Sequence, residues 1–167
     1  MHAFKATAVL SCVIILSALA AMRPAAAQGI PKEGRVDITS CWSGANSVIA
    51  FSKTHLAFSY EMTGTTRSNP PGGIFDMTAF RCVGLVNAIA GKQTGNATCE
   101  IVDKDGDKTL SQYLGEGNTY TATTLAGTGK YEGMTSNLVA ELMGPFPTIK
   151  PGTFQNCNRQ TGTYKMK

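Results

Sequence analysis

Residues 55–62 run His-Leu-Ala-Phe-Ser-Tyr-Glu-Met, and large apolar side chains take every second position of this octapeptide. In an extended chain one side would carry Leu56, Phe58, Tyr60 and Met62, and the other His55, Ser59 and Glu61. An alternation with a period of two residues predicts a β-strand that buries one face.

The same period recurs along most of the chain. Comparable runs occupy 36–43, 75–88, 97–102, 109–114, 119–125, 134–143 and 161–166, and the short run 48–51 is either a ninth strand or an extension of its neighbour. Turn-forming residues separate the runs, and the one long link, 145–160, precedes the last run. The pattern predicts an all-β, antiparallel fold. Short local connections favour an eight-stranded up-and-down barrel over the alternative, a β-sandwich.

The first 27 residues have the layout of a secretory signal peptide. Lys5 precedes an apolar run over 6–22, and Ala25-Ala26-Ala27 supplies small residues before a cut at Gln28. The alternative is an uncleaved membrane anchor, but the run is at the short edge of what spans a bilayer. We therefore expect residues 1–27 to be a signal peptide, residues 28–167 to form one domain, and the protein to be exported to the periplasm or secreted.

The charge of the mature chain excludes one class of partner. Removing the leader takes away Lys5 and Arg23, which leaves 13 basic and 11 acidic residues with no basic block. Nucleic acid is therefore not an expected partner, because phosphate binding needs clustered cations. No second apolar segment is long enough to span a membrane, so no stable insertion is expected after cleavage.

Four cysteines remain in the mature chain: Cys41, Cys82, Cys99 and Cys157. An even count in an exported chain predicts two disulfides. Cys82 and Cys99 lie symmetrically about 90–91, where a hairpin turn is expected, and Cys41 would meet Cys157 if the first and last strands close the barrel. A metal site is not expected, because no pair has the spacing of a zinc hook and His55 is the one mature histidine. No cofactor is predicted.

Residues 125–135, Leu-Ala-Gly-Thr-Gly-Lys-Tyr-Glu-Gly-Met-Thr, form the most distinctive segment. Glycines at 127, 129 and 133 suit positive φ or close backbone approach, and Tyr131 would cover a barrel end. The segment resembles a glycine-rich turn of the allene-oxide-cyclase and dirigent group of small barrels, with Ala126 in place of a usual glycine. The resemblance covers about ten residues, implies a calycin-like barrel, and assigns no catalytic residue.

Two other groups of residues invite a chemical interpretation. Residues 103–108, Asp-Lys-Asp-Gly-Asp-Lys, have three carboxylates but lack the glycine and glutamate positions of an EF-hand loop, so a hairpin turn is expected rather than a calcium site. His55 and Glu61 share the polar face of one strand. We expect them to face solvent, with a lumenal acid–base pair as the alternative.

The function is less defined than the fold. Binding of a small apolar ligand without catalysis is favoured, because no motif sets a base against a nucleophile. An envelope-protein or other protein-interaction module is the second hypothesis, and an enzyme of the cyclase or isomerase type is the third. The expected ligand-binding residues are Leu56, Phe58, Tyr60, Leu85 and Leu138.

Overall fold

The computed structural model describes residues 30–167, so the predicted signal peptide lies outside the described residues. Eight antiparallel strands follow one another around a closed barrel, each paired with its neighbours in sequence. The strands are β1 (Glu33–Ser52), β2 (His55–Ser68), β3 (Thr78–Ile89), β4 (Lys92–Val102), β5 (Lys108–Glu116), β6 (Thr119–Gly127), β7 (Thr135–Leu142) and β8 (Thr153–Lys165). The up-and-down barrel is confirmed, and the sandwich alternative is wrong because β1 pairs with β8.

The strand bounds differ from the sequence prediction in several places; for example, β2 continues to Ser68 and β4 begins at Lys92. Residues 48–51 extend β1 and do not form a ninth strand. The run predicted from residue 75 begins as β3 only at Thr78, because Phe75 has a φ of 64° and belongs to a loop. Strand β8 begins eight residues earlier than the predicted run, at Thr153. Apart from Phe154 and Cys157, residues 153–160 are polar on both faces, so alternation does not reveal them.

Both predicted disulfides are present. Ala90 and Gly91 have positive φ and turn β3 into β4, which sets Cys82 opposite Cys99. Cys41 and Cys157 are cross-strand partners where β1 meets β8. Cys82 and Cys99 are buried inside the barrel, whereas Cys41 lies on its exposed outer face. One disulfide therefore belongs to the lumen and the other fastens the seam.

The two ends of the barrel differ. At one end the β2–β3 loop, residues 69–77, and a short 3-10 helix, Gly129–Tyr131, carry side chains into a buried apolar cluster. Phe75 stacks on Tyr131 there, with ring centroids 5.8 Å apart. The opposite end has only the tips 53–54, 90–91 and 117–118 and the loop 143–152. Within residues 30–167 no helix is long and apolar enough to cross a bilayer.

Candidate ligand-binding site

A cavity of about 350 Å³ fills the barrel above the closed end. Its lining reaches Gln93 and Leu142, which lie within two residues of strand ends at the open end. The volume is in the range of small-molecule sites. Among residues 30–167, those that line it include no Asp, Glu, Lys, Arg or His. The lumen is therefore a neutral pocket.

Aromatic rings form much of the cavity wall, and several of them lie against glycines of the neighbouring strand. Three such cross-strand pairs are Tyr60 with Gly84, Phe80 with Gly64, and Phe154 with Gly44. A Cβ atom at Gly64 would lie 2.6 Å from the Phe80 ring, and one at Gly44 would lie 2.8 Å from the Phe154 ring. Because glycine has no side chain, each ring can lie close to the wall and leave the centre of the lumen open.

A connected polar network crosses the lumen toward the closed end. The Tyr113 hydroxyl donates to Gln160 Oε1 at 3.1 Å, and Gln160 Nε2 donates to Asn158 Oδ1 and to Ser40 Oγ, each at 3.1 Å. Ser40 Oγ in turn lies 2.9 Å from Thr66 Oγ1. Ser40, Thr66, Asn158 and Gln160 are buried, and all five residues line the cavity. The pocket therefore has apolar walls and a hydrogen-bonding floor.

Two tyrosines of the cavity, Tyr60 and Tyr113, add no charge at physiological pH. Burial raises the pKa of Tyr60 to about 12. Burial also raises the pKa of Tyr113 to about 12. The Tyr60 hydroxyl donates to the Asn96 carbonyl at 3.3 Å. Its hydrogen bond is therefore made within the protein, and the Tyr60 ring lines the cavity. Both phenols stay protonated, and the pocket remains neutral.

The structure brings together three of the five residues expected to bind a ligand. Phe58, Tyr60 and Leu138 line the cavity. Leu85 lies on the outer face and is 40% exposed, because the inward positions beside it belong to Gly84 and Val86. Leu56 is partly buried near the start of β2 and is not among the lining residues. The even-numbered residues of β3 point into the lumen, so Leu85 points outward and does not line the cavity as expected.

Sequence reasoning missed the polar floor and most of the aromatic wall. In β8, Asn156, Asn158 and Gln160 point inward, but the outward residues Gln155 and Arg159 are polar too, so the two faces look alike. A usable signal was the glycines inside predicted strands, since such glycines often mark close approach of another group.

His55 and Glu61 both lie outside the lumen. His55 Nδ1 is 3.2 Å from Ser52 Oγ and 3.1 Å from Thr54 Oγ1 at the β1–β2 tip. Glu61 forms an exposed ion pair with Arg81 across the strands, at 2.7 Å, and the hydrogen bond from Arg81 lowers the pKa of Glu61. The two residues do not meet, so they form no lumenal acid–base pair.

The acidic segment 103–108 forms the predicted turn between β4 and β5. Lys130 Nζ lies 2.6 Å from Asp103 Oδ2 and 2.6 Å from Asp105 Oδ2. Burial of Asp103 opposes its ionisation, but the hydrogen bonds from Lys130 and from the Asp105 backbone lower its pKa overall. Asp103 and Asp105 thus bind the Lys130 ammonium of the same chain, and this ion pair links the turn to the 3-10 helix. Within residues 30–167 no group of three or more His, Cys, Asp or Glu side chains is arranged to hold a metal ion.

The glycine-rich segment behaves as its residues predict. A Cβ atom at Gly127 would overlap the Tyr131 carbonyl oxygen, while Gly129 and Gly133 have φ of 53° and 69°. This tight path delivers Tyr131, 3% exposed, into the closed end. The prediction that Tyr131 covers a barrel end is confirmed.

Comparison with solved structures finds the same architecture in a pterocarpan synthase dirigent protein. The TM-score is 0.53 at 10% sequence identity, over 83% of this chain and 94% of that chain. The barrel is dirigent-like. At this identity the likeness concerns the fold alone, and the wider calycin-like grouping stays a prediction. No protein-family description and no curated protein matches the sequence.

Proposed function

We propose that the protein binds a small, neutral, mostly apolar molecule in the lumen of its barrel and does not transform it through acid–base groups of its own. The observation that carries the proposal is the cavity of about 350 Å³ without a charged lining side chain among the described residues. A packed interior would instead have favoured a module that acts through its outer surface.

Electrostatics supports a neutral ligand over an anion or a cation. A charged group that moves from water into a lumen with mostly apolar walls loses hydration, and this costs a large free energy unless an opposite charge compensates it. The protein offers no such charge in the cavity, because its ion pairs, such as Glu61 with Arg81 and Asp37 with Arg159, lie on the outer wall. Free fatty acids and similar anions are therefore disfavoured.

The polar floor supports a ligand with one hydrogen-bonding group at its end. The network uses Asn158 Oδ1 as an acceptor for Gln160, and within residues 30–167 the Asn158 amide nitrogen has no protein partner. This nitrogen lies at the cavity surface, where it could donate a hydrogen bond to a hydroxyl or carbonyl oxygen of a ligand. The rest of the ligand would lie against the aromatic wall.

Two fluorescent probes with the same ring body test the proposal. N-phenyl-1-naphthylamine is neutral, and 8-anilino-1-naphthalenesulfonate adds one sulfonate. We expect the neutral probe to bind with a rise in fluorescence and the anion to bind at least about tenfold more weakly, a difference of about 1.4 kcal/mol. Titration of each probe into the purified barrel measures both dissociation constants.

A variant of a cavity-lining residue near the open end tests whether the probe binds in the lumen. Phe58→Asp places a carboxylate in the lining and should weaken binding of the neutral probe, whereas Leu85→Asp on the outer face of the next strand should leave it unchanged. The melting temperature of each variant shows whether it is folded. Equal affinity for the two probes, or equal losses in the two folded variants, would contradict a neutral lumenal site.

A second candidate function is guidance of a reaction by the shape of the lumen. The observation that favours it is the fold shared with a dirigent protein that is named a pterocarpan synthase. In that case the cavity would hold a reactive molecule in one conformation, and the chemistry would need no catalytic side chain. Product analysis with and without the barrel separates guidance from binding alone.

We also propose that the protein works outside the cytoplasm. Two disulfides support this, since such bonds persist in oxidising compartments. The predicted leader over residues 1–27 is the second support.

A further inference from the structure

The open end of the barrel concentrates exposed apolar side chains. Seven of the exposed large hydrophobic residues lie in its loop or in the ends of β1 and β3 beside its tips: Val48, Ile49, Phe51, Ile89, Met143, Phe146 and Ile149. Phe51 and Ile149 are each 85% exposed. Solvent-exposed apolar groups at this density mark a surface that contacts something other than water. We call these seven the mouth residues.

Backbone hydrogen bonds join the tips that carry the mouth residues. Ala90 N donates to the Thr54 carbonyl at 2.8 Å, which links the β3–β4 turn to the β1–β2 tip. Asn46 N donates to the Gly152 carbonyl at 3.1 Å, which holds the end of the 143–152 loop against β1. These bonds hold the segments that carry the mouth residues next to one another, on one side of the open end.

Two lysines lie beside the mouth residues. Lys53 follows Phe51 by two residues, Lys150 follows Ile149 directly, and within residues 30–167 neither lysine has an ion-pair partner. Of the acidic groups near this end, Glu116 pairs with Lys92 at 3.0 Å, and Glu141 is the cross-strand partner of Arg159, whose guanidinium donates to Asp37. Lysine beside apolar side chains suits an anionic lipid surface, where the ammonium meets headgroups while its neighbour enters the acyl boundary. The core of a protein–protein interface is instead depleted in lysine.

We propose that the mouth of the barrel docks on an anionic lipid surface, with Phe51 and Ile149 entering the interface and Lys53 and Lys150 contacting headgroups. The docked surface surrounds the entrance to the lumen, so a neutral ligand dissolved in the membrane could enter the cavity without crossing water. The docking itself does not depend on an occupied lumen.

Co-sedimentation with lipid vesicles tests the proposal. The barrel should bind vesicles that contain phosphatidylglycerol, bind pure phosphatidylcholine vesicles more weakly, and be released by high salt. The double variant Phe51→Ser/Ile149→Ser should lose about tenfold or more in binding to both. Lys53→Glu/Lys150→Glu should lose binding only to the anionic vesicles. The matched control is Leu125→Ser, an exposed residue near the closed end, which should bind like the unchanged protein.

Three outcomes would overturn the proposal. One is the absence of binding to either vesicle, and another is an equal loss in the Leu125→Ser control. The third is an oligomer that Phe51→Ser/Ile149→Ser converts to monomers, since the mouth would then join copies of this chain. In solution the same double variant should bind N-phenyl-1-naphthylamine with unchanged affinity, so failure of docking and failure of the lumenal site are distinguishable.

Discussion

The arrangement of single side chains decides how much room the lumen has. An aromatic ring that pointed to the barrel axis would fill the cavity, but a ring that lies over a cross-strand glycine stays near the wall. The Tyr120 ring lies over its cross-strand partner Gly115 and reaches Gly95 on the strand beyond. Gly95 is informative because the atoms nearest to an added Cβ belong to side chains, Tyr120 Oη at 2.8 Å and Val86 Cγ2 at 3.1 Å. Both side chains line the cavity, and both can move.

We expect Gly95→Ala to narrow the cavity by displacing the Tyr120 ring, and to weaken binding of N-phenyl-1-naphthylamine about tenfold. Gly34→Ala is the matched control, because its Cβ would lie 2.9 Å from the Tyr164 ring, which packs in the closed end and does not line the cavity. The control should keep its probe affinity. Probe titration and the melting temperature decide between a narrowed lumen and a general loss of stability, and equal probe affinities in the two variants would contradict the role of Gly95.

At the scale of elements, the β2–β3 loop depends on one carboxylate. Asp76 accepts backbone hydrogen bonds from Ser68 at 2.9 Å and from Gly72 at 2.8 Å, and Arg67 lies 3.5 Å away. These backbone bonds, more than the neighbouring arginine, lower the pKa of Asp76 from its ordinary value of 3.8. The ionised carboxylate fixes the path by which Ile74 and Phe75 reach the closed end.

The sign of the pH dependence follows from the lowered pKa. Stabilisation by Asp76 is present above the unfolded pKa of 3.8 and is lost as the pH falls through the lower folded pKa. We expect Asp76→Asn to melt about 3–5 °C below the unchanged protein at neutral pH, and this difference to shrink toward zero in strong acid. Melting curves across the acid range measure it, with exposed Glu132→Gln as the control. A difference that is the same at every pH would show that the charge of Asp76 is not involved.

The sequence predicted the strands better than the cavity, for a physical reason. Alternation reveals which strand face is apolar, and it correctly paired Cys82 with Cys99 through the hairpin at 90–91. It does not reveal which face is inward when both faces are polar, as in β8, or when an apolar residue such as Leu85 lies outside. The size of the cavity depends on rings that lie over glycines, and this is a property of pairs of strands rather than of any one strand.

For the whole molecule, the closure between β1 and β8 is the contact most distant in sequence. On the outer face of this seam, Arg159 Nε and Nη2 donate to the two oxygens of Asp37 at 3.0 and 2.7 Å, and the Cys41–Cys157 disulfide joins the same two strands. This disulfide spans 116 residues, whereas Cys82–Cys99 spans 17. A longer bridged loop restricts the unfolded chain more strongly.

We therefore expect the double variant Cys41→Ser/Cys157→Ser to lose about 4–5 kcal/mol of unfolding free energy in the chain-entropy description, and the loss from the shorter bridge to be about 3 kcal/mol from the same cause. Cys41 is exposed and Cys157 is only partly buried, so serine at these positions adds no fully buried polar group. Cys82 and Cys99 are buried, and their variant, Cys82→Ala/Cys99→Ala, adds a packing loss. Urea unfolding measures each free energy, and the slope of each transition separates the two causes, because a less restricted unfolded chain exposes more surface and raises the slope.

The seam variant should show the larger rise in slope, whichever variant is the less stable. A seam variant with an unchanged slope and a loss below about 1 kcal/mol would mean that the hydrogen-bonded ladder and the Asp37–Arg159 pair close the barrel without the disulfide.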